Sequence, residues 1–413
     1  MMKRKKIVYN IIMLYGMSIA KIIFPLLTLP YLTRVLSVEC YGVVSYVKAV
    51  MQYMQLFVDF GFMLSGTRDI IKAKDDQIQL AREIGDIMLA RILLAAVAFC
   101  ALLLMMCITP ILQDNAMYAI LAFASVFLTI FLFDYYFRGI EKMQMITVRF
   151  VIMRGVSTIL TFILVHSDSD IILMPLLDTV GTALAVGLVF FELKRERIRI
   201  CFTGIRSAWN KVRESFVYFA SNMATTVFGA LNTLLIGSLL DTTDVAYWSV
   251  CLQLIAAIQV MYTPITDGIY PEMVKTRSAK LVKRLLLLFM PIVLLGSLIV
   301  IVVAPYALLI VGGEQYVVAT NLLRMMVPIL VFSFPAVILG WPTLGAIDKA
   351  SDVTKTTILA SLVQILGLII LTVLNRFTLL WIAVIRCFTE FVLMTSRVWY
   401  CGKYRNEFRD QFD

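Results

Sequence analysis

The sequence is poor in charged residues and contains a single histidine. Asp, Glu, Lys and Arg make up 15% of the 413 residues, against about 25% in a soluble domain. The lone imidazole belongs to His166-Ser-Asp-Ser-Asp170, a stretch more typical of a solvated loop than of a metal site. These shortages argue against a soluble enzyme and against a metal centre.

Two common sequence motifs are also absent. The seven cysteines include no C-x-x-C pair and show no spacing of metal ligands. No G-x-x-x-x-G-K-[ST] phosphate-binding loop occurs, which excludes ATP hydrolysis by such a loop. We therefore expect no enzyme activity, no catalytic residue, no cofactor and no metal. Any transport must use an ion gradient, the membrane potential or the gradient of the substrate.

Apolar residues are abundant instead. They form 61% of the chain, and the mean hydropathy is +0.90, so most of the outer surface must be solvated by lipid. The formal net charge of +10 does not indicate nucleic-acid binding, because the basic residues fall in short loops between apolar runs. An all-α polytopic membrane protein is predicted.

Twelve segments are apolar over the roughly 20 residues that a spanning helix needs. The basic Lys3–Lys6 stretch before the first segment resembles a signal peptide, but the length of that apolar run favours an uncleaved spanning helix. The segments lie near residues 7–33, 41–64, 84–108, 116–137, 144–165, 171–191, 216–240, 245–271, 285–304, 317–346, 356–374 and 378–398.

Basic residues divide unequally between the two sets of loops. The termini and alternate loops carry 27 Lys and Arg residues, whereas the opposite loops contain only Arg34 and Arg376. Because basic loops stay in the cytoplasm, both termini are predicted to be cytoplasmic, in a bacterial inner membrane. The opposite loops are short, which leaves no room for an extracytoplasmic domain.

The most basic loop separates two sets of six segments. We predict an N-terminal six-helix lobe at 1–191, a cytoplasmic connector at 192–215, a C-terminal six-helix lobe at 216–398 and a cytoplasmic tail at 399–413. Two lobes of even helix number enter the membrane in the same direction, and such parallel repeats hold the substrate site between them. An arrangement of the two six-helix lobes around a central cavity is expected. Pro328, Pro335 and Pro342 in the tenth segment predict a broken helix.

Eight basic residues lie inside the apolar segments, where a central charge costs at least about 2.5–3.5 kcal/mol. Two of them, Arg149 and Arg397, lie near segment ends and are expected to reach the interface by snorkelling. Arg386 and Glu390 are spaced i, i+4, which predicts an ion pair. The candidate substrate-binding residues are Lys21, Lys48, Arg91, Arg154, Arg324 and Arg386.

Intramembrane carboxylates are fewer than these cations. Asp59, Asp178 and Asp267 are the candidates for coupling transport to protons or sodium. Asp134 has Arg138 at i+4 and is expected to cap a cytoplasmic helix end. The cation surplus predicts a positively charged, water-accessible cavity whose ligand is an anion. A phosphate or pyrophosphate group suits Arg and Lys through charge-assisted hydrogen bonds.

The first helical pair carries more specific motifs. The sequences Phe24-Pro-Leu-Leu-Thr-Leu-Pro-Tyr-Leu-Thr-Arg-Val-Leu36, Tyr41-Gly42, Phe60-Gly-Phe62 and Ser65-Gly-Thr-Arg-Asp-Ile70 resemble the Wzx-type polysaccharide-biosynthesis flippases. So does Asp134-Tyr-Tyr-Phe-Arg-Gly-Ile-Glu-Lys-Met143. These proteins belong to the multidrug/oligosaccharidyl-lipid/polysaccharide (MOP) exporter superfamily, so the resemblance implies a MATE-like fold. Ser37 departs from the glycine that family members often have after this Val-Leu, a difference confined to a loop turn.

The resemblance implies a flippase that moves undecaprenyl-pyrophosphate-linked oligosaccharide, an O-antigen or capsule repeat unit, to the outer leaflet by alternating access. Basic groups would bind the pyrophosphate, and Gln52, Gln55, Asn222 and Asn232 would meet sugar hydroxyls. A polymerase and a chain-length regulator are implied partners. Two alternatives stay open. One is a multidrug cation antiporter of the same superfamily, and the other is an integral-membrane glycosyltransferase such as an O-antigen polymerase.

Overall fold

The helices and turns of the described chain form an all-helical fold, with short irregular loops between the helices. This computed structural model describes the backbone of residues 2–409 and their side chains, except those of 2–12, 14, 15, 22, 221, 225, 227 and 228. The last four residues of the predicted tail therefore lie outside the described residues. No β-strand occurs between residues 2 and 409.

Seventeen α-helices follow one another along the described chain. They are α1 (Met2–Val35), α2 (Val38–Asp59), α3 (Phe62–Ala73), α4 (Gln77–Ile108), α5 (Pro110–Asp114), α6 (Ala116–Leu128), α7 (Asp134–Gly139), α8 (Met143–Leu164), α9 (Leu173–Arg195), α10 (Ile205–Leu239), α11 (Thr242–Gln259), α12 (Thr263–Thr276), α13 (Ala279–Gly312), α14 (Thr320–Met326), α15 (Pro328–Ile338), α16 (Ala350–Val373) and α17 (Leu379–Lys403). Several of these helices continue one into the next through a short 3₁₀ or π turn.

Ten membrane spans are identified by helix length and apolar composition among the described residues. They match ten of the twelve predicted segments, which confirms a multi-pass helical membrane protein. The two remaining segments fall in α2 and α10, helices of 22 and 35 residues. At about 1.5 Å per residue both are long enough to cross a bilayer. The count of twelve spans stays a prediction.

The chain divides into two compact units, residues 1–226 and 227–413. In the first unit, buried aromatic and aliphatic side chains of α3, α4, α7 and α9 form the core. In the second, a core joins α12, α13 and α15 to the end of α17. The boundary falls inside α10, and the predicted lobe limits stay a prediction.

The basic connector packs against the last turns of α3 and the first turns of α4, within the first unit. The Cys201 amide donates to the Ala81 carbonyl at 3.0 Å, and Thr203 donates through its amide and its hydroxyl to the Asp86 carboxylate. Gly85 makes this approach feasible, because a Cβ there would lie 2.1 Å from the Cys201 carbonyl oxygen.

An ion-pair network reinforces the same contact. Lys211 Nζ lies 2.9 Å from Asp69 and 2.6 Å from Glu83. Burial alone would lower the pKa of Lys211, but the hydrogen bonds to Glu83 and Asp69 outweigh it and raise the pKa above its ordinary value. The connector is therefore a fixed part of the first unit and not a loose loop.

The proline-rich segment of the second unit is broken, as the sequence predicts. It forms α14, α15 and a π turn at Leu339–Leu344, in which Gly340 has a non-helical ψ of −117°. Pro342 has no N–H for the carbonyl of Ile338, its i−4 partner. The Thr343 hydroxyl donates to that carbonyl at 2.8 Å.

We expect Gly85→Ala to loosen the connector, because the new methyl group would overlap the Cys201 backbone. Overpacking of this kind costs roughly 1–3 kcal/mol, so the thermal unfolding midpoint of the detergent-purified protein should fall. Gly187→Ala in α9 is the matched control, since a Cβ added at Gly187 would have no atom within 4 Å. A Gly85→Ala protein as stable as the control would contradict this assignment.

Candidate substrate site

Three helices of the first unit bring two predicted cations and one predicted carboxylate together. Arg154 Nη1 of α8 lies 3.3 Å from Asp178 Oδ1 of α9. Lys48 of α2 interacts electrostatically with both Asp178 and Arg154. The Ser157 hydroxyl donates to the same Asp178 oxygen at 2.5 Å. We call Lys48, Arg154, Ser157 and Asp178 the α2–α8–α9 cluster.

Close packing of α8 and α9 explains why the cluster forms at this level. A Cβ at Gly181, one turn after Asp178, would lie 2.4 Å from the Met153 carbonyl oxygen. Only glycine allows the two backbones to approach so closely. The small residue thus sets Asp178 opposite Arg154 and Ser157, which lie on one face of α8.

The charged members of this cluster are accessible. Arg154 and Asp178 side chains are 48% and 33% exposed, and Lys48 is the one exposed residue in the otherwise buried stretch 41–50. Charges in an apolar protein persist only where they meet water, each other or a ligand. An accessible cluster can therefore exchange its internal partners for a ligand.

Lys21 lies next to this cluster along α8. Its side chain is exposed, and its ammonium lies 5.7 Å from the centroid of the Phe150 ring. Phe150 precedes Arg154 by one helical turn, so Lys21 adds a cation at the neighbouring level. With Lys21 counted beside Lys48, Arg154 and Asp178, the formal net charge of these four side chains is +2.

Arg91 and Asp59 form a different kind of contact. Arg91 Nη2 lies 2.6 Å from Asp59 Oδ1, and its other nitrogens donate to the carbonyls of Val58 and Ile130. The Arg91 side chain is only 6% exposed. This guanidinium fixes α2 to α4, and it is a poor candidate for direct contact with a ligand in this arrangement.

The described candidates of the second unit do not come together in a comparable cluster. Arg386 pairs with Glu390 at 2.9 Å, which confirms the i, i+4 prediction, and both side chains are buried. Arg324 is exposed, and its Nε donates to the Ile301 carbonyl at 3.0 Å. Asp267 is exposed on α12. These three environments differ, so the second unit offers no shared site among its described residues.

Two arginines contradict the prediction that they snorkel. Arg149 is 3% exposed and pairs with Asp134, the carboxylate for which the sequence favours Arg138. Arg397 is 8% exposed and donates to the Ala336 carbonyl at 2.6 Å. Buried partners hold both side chains inside the protein, so neither needs to reach the interface.

Polar residues predicted to meet sugar hydroxyls have different environments. Gln52 follows Lys48 by one turn and is exposed, as is Asn222. Gln55 donates to the Thr129 hydroxyl at 3.1 Å. Asn232 is buried and accepts from Gln364 at 2.8 Å, so its carbonyl oxygen is already occupied. Among residues 2–409, no group of His, Cys, Asp or Glu side chains is placed to hold a metal ion.

Sequence reasoning did not identify Ser157 as a member of the site. Its only signal was position, because Ser157 follows Arg154 by three residues and shares its helical face. Serine is common in membrane helices, so spacing alone could not select it before the position of Asp178 was known.

The two carboxylates should differ in their effect on stability. Asp59→Asn leaves the buried Arg91 charge without its anion, which should cost about 3 kcal/mol. Asp178→Asn removes a solvent-accessible pair and should cost under about 1 kcal/mol. Thermal unfolding of the two purified variants measures the difference. Equal losses would show that the Asp178 pair is as structural as the Asp59 pair.

Comparisons with known proteins fit this architecture. Residues 7–277 match the family described as "Polysaccharide biosynthesis protein". The "Putative O-antigen transporter" of Escherichia coli (strain K12) is 25% identical over 378 residues, covering 89% of this chain and 90% of that protein.

Two solved structures share the fold. The lipid II flippase MurJ, in an inward closed conformation, gives a TM-score of 0.67 at 12% identity, over 94% of this chain and 87% of that one. An inward-facing multidrug resistance MATE family transporter of the MOP superfamily gives 0.64 at 14% identity, over 94% and 98%. The family match covers more than half of the chain. This membrane protein therefore belongs to the polysaccharide biosynthesis protein family.

Proposed function

We propose that this protein is a flippase for undecaprenyl-pyrophosphate-linked oligosaccharide, an O-antigen or capsule repeat unit. It moves the lipid from the cytoplasmic to the outer leaflet of the bacterial inner membrane by alternating access. The family and the O-antigen transporter of E. coli support the class of cargo. Both termini lie in the cytoplasm, as the distribution of basic loops predicts.

The observation that carries the proposal is the accessible positive charge of the first unit. Lys21, Lys48 and Arg154 all have exposed side chains, and Asp178 is the one carboxylate of the α2–α8–α9 cluster. A site for a cationic drug needs the opposite balance, so the sign of the charge favours an anion over the multidrug alternative. A pyrophosphate offers several oxygens to these donors.

Asp178 gives this site a partner when no substrate is present. Its carboxylate accepts from Arg154 and Ser157, and an arriving pyrophosphate would compete with it for the guanidinium. Protonation of Asp178 would weaken its hold on Arg154 and favour the anion. A coupling proton, or a sodium ion held by the same carboxylate, would thus link an ion gradient to substrate binding.

The remaining candidate residues have supporting roles. Gln52, exposed one turn from Lys48, and Asn222 are the better placed groups for sugar hydroxyls. Arg91 acts through its ion pair with Asp59, which joins α4 to α2, whereas Arg386 pairs with Glu390 within α17. A polymerase and a chain-length regulator of the same pathway would receive the translocated lipid.

We expect Lys48→Gln and Arg154→Gln each to reduce surface polymer by at least about tenfold. A hydrogen bond to a charged group contributes about 1.5–3 kcal/mol, and that energy is lost when the cation is removed. The measurement is surface polysaccharide in cells that depend on this protein for export, with membrane abundance followed in parallel. The conservative variant Lys48→Arg should retain export.

Lys72→Gln is the matched control, because Lys72 is equally exposed but lies outside the spanning segments. Normal amounts of surface polysaccharide in both the Lys48→Gln and the Arg154→Gln strains would rule out the proposed cationic site. Drug resistance conferred by the wild-type protein, abolished by Asp178→Asn, would favour the antiporter instead.

A further inference from the structure

The second unit carries a separate group of cations at the start of α13. Lys280, Lys283, Arg284 and Leu287 line one cleft at its surface. Their spacing of i, i+3, i+4 and i+7 places them on one face of the helix. All four side chains are exposed. We call these residues the α13 basic face.

The opposite face of the same turns is packed into the protein. Val282 is buried, and Leu281 and Leu285 pack against the core that contains Cys401 and Phe408. This core fixes the first turns of α13, so the α13 basic face is directed outward by packing. The cations belong to a rigid helix and not to a mobile loop.

Beyond Leu287 the helix becomes a long apolar surface. Only 6% of the most apolar 18-residue stretch of α13 is buried, and large side chains are exposed along it. Among these are Leu287, Leu288, Ile292, Leu295, Leu298, Ile299, Val302, Tyr306 and Ile310. From Leu287 to Gly312 the helix extends about 37 Å at 1.5 Å per residue, enough to cross the hydrocarbon core.

Aromatic residues place the basic face at the edge of the membrane. Tyr400 packs against the same core as Leu281. On α17, Trp399 is 60% exposed, and the Lys403 ammonium lies 5.3 Å from its ring centroid. Exposed Trp and Tyr beside Lys mark the headgroup level of a bilayer. The α13 basic face therefore lies where lipid phosphates are found.

Cations near the α13 basic face are neutralised by carboxylates, whereas two cations of the face itself are not. Arg277 pairs with Asp348, and Lys349 pairs with Glu407. In the described part of the chain, Lys280 and Arg284 have neither an ion pair nor a hydrogen bond from their side chains. The charge at this spot is thus available to an external anion.

We infer that the α13 basic face binds the phosphate of an anionic phospholipid in the cytoplasmic leaflet. Lys280, Lys283 and Arg284 contact the headgroup, while the acyl chains lie along the apolar surface that begins at Leu287. Basic clefts on the cytoplasmic side of membrane helices recognise such headgroups. This site lies in the second unit and does not depend on the proposed flippase site of the first.

The test is titration of the detergent-purified full-length protein with phosphatidylglycerol, followed by native mass spectrometry. Phosphatidylcholine serves as the zwitterionic comparison. The triple variant Lys280→Gln/Lys283→Gln/Arg284→Gln should bind phosphatidylglycerol at least about tenfold more weakly than the wild type, because each cation near the surface contributes separately. Phosphatidylcholine binding should not change.

Lys72→Gln/Lys74→Gln/Arg199→Gln removes the same charge from other exposed positions and should bind as the wild type does. The charge-preserving Lys280→Arg/Lys283→Arg variant should also retain binding and guards against a folding defect. An unchanged affinity in the first triple variant, or an equal loss in the control, would overturn the inference.

Two further additions decide between sources of the phosphate. Millimolar inorganic phosphate should not displace phosphatidylglycerol, because it lacks the acyl chains. Farnesyl pyrophosphate should compete no better than phosphatidylglycerol at this site. Displacement by free phosphate would show a simple anion site, and preferential binding of the prenyl pyrophosphate would show a substrate site. Either result would refute the phospholipid assignment.

Discussion

The structure depends on one constraint, which is that a charge inside an apolar protein must find a partner. Arg91 meets Asp59 and two carbonyls, Arg149 meets Asp134, and Arg386 meets Glu390. Each of these contacts joins residues whose separation in the bilayer would be costly. Arg91 and Arg149 therefore cross-link neighbouring helices, whereas Arg386 is neutralised within α17. The accessible cations of α2 and α8 are the ones we propose to meet a ligand. The same distinction separates the residues that build the fold from those proposed to recognise the cargo.

Length and apolarity predicted twelve spans, ten of which are identified among the described residues, and they predicted the class of protein. Local spacing also predicted the Arg386–Glu390 pair, because both residues lie one turn apart on a single helix. Local spacing could not predict ion pairs between different helices. Arg154 and Asp178 are 24 residues apart and meet only because Gly181 lets α8 and α9 approach. Periodicity shows which face of a helix a residue occupies but not which helix it faces.

The same limit explains the error at Arg149 and Arg397. Proximity to the end of a segment suggested an escape to water, but that argument treats each helix as though it were alone in lipid. Inside a bundle, a neighbouring helix can offer a carbonyl or a carboxylate nearer than the interface. Arg397, for example, meets the Ala336 carbonyl where α15 gives way to the π turn.

The motifs that revealed the family have structural tasks in this fold. Gly61 adopts a positive φ of 80° between α2 and α3, and the Ser65 hydroxyl lies 2.6 Å from that of Ser215. Asp69 holds Lys211 of the connector. The residues shared with the family thus anchor the connector to the first unit. The cation cluster that carries the proposed function lies elsewhere and could not be located from those motifs.

The turn at Pro342 changes which side chain is favoured at the next position, Thr343. On any scale of hydrophobicity valine outranks threonine in a bilayer, and the two have nearly the same shape. At position 343, however, the hydroxyl donates a hydrogen bond to the Ile338 carbonyl, which the proline ring at position 342 cannot do. Valine would remove that hydrogen bond, at a cost of about 0.5–1.5 kcal/mol. At that position the more hydrophobic residue would be the less stable one.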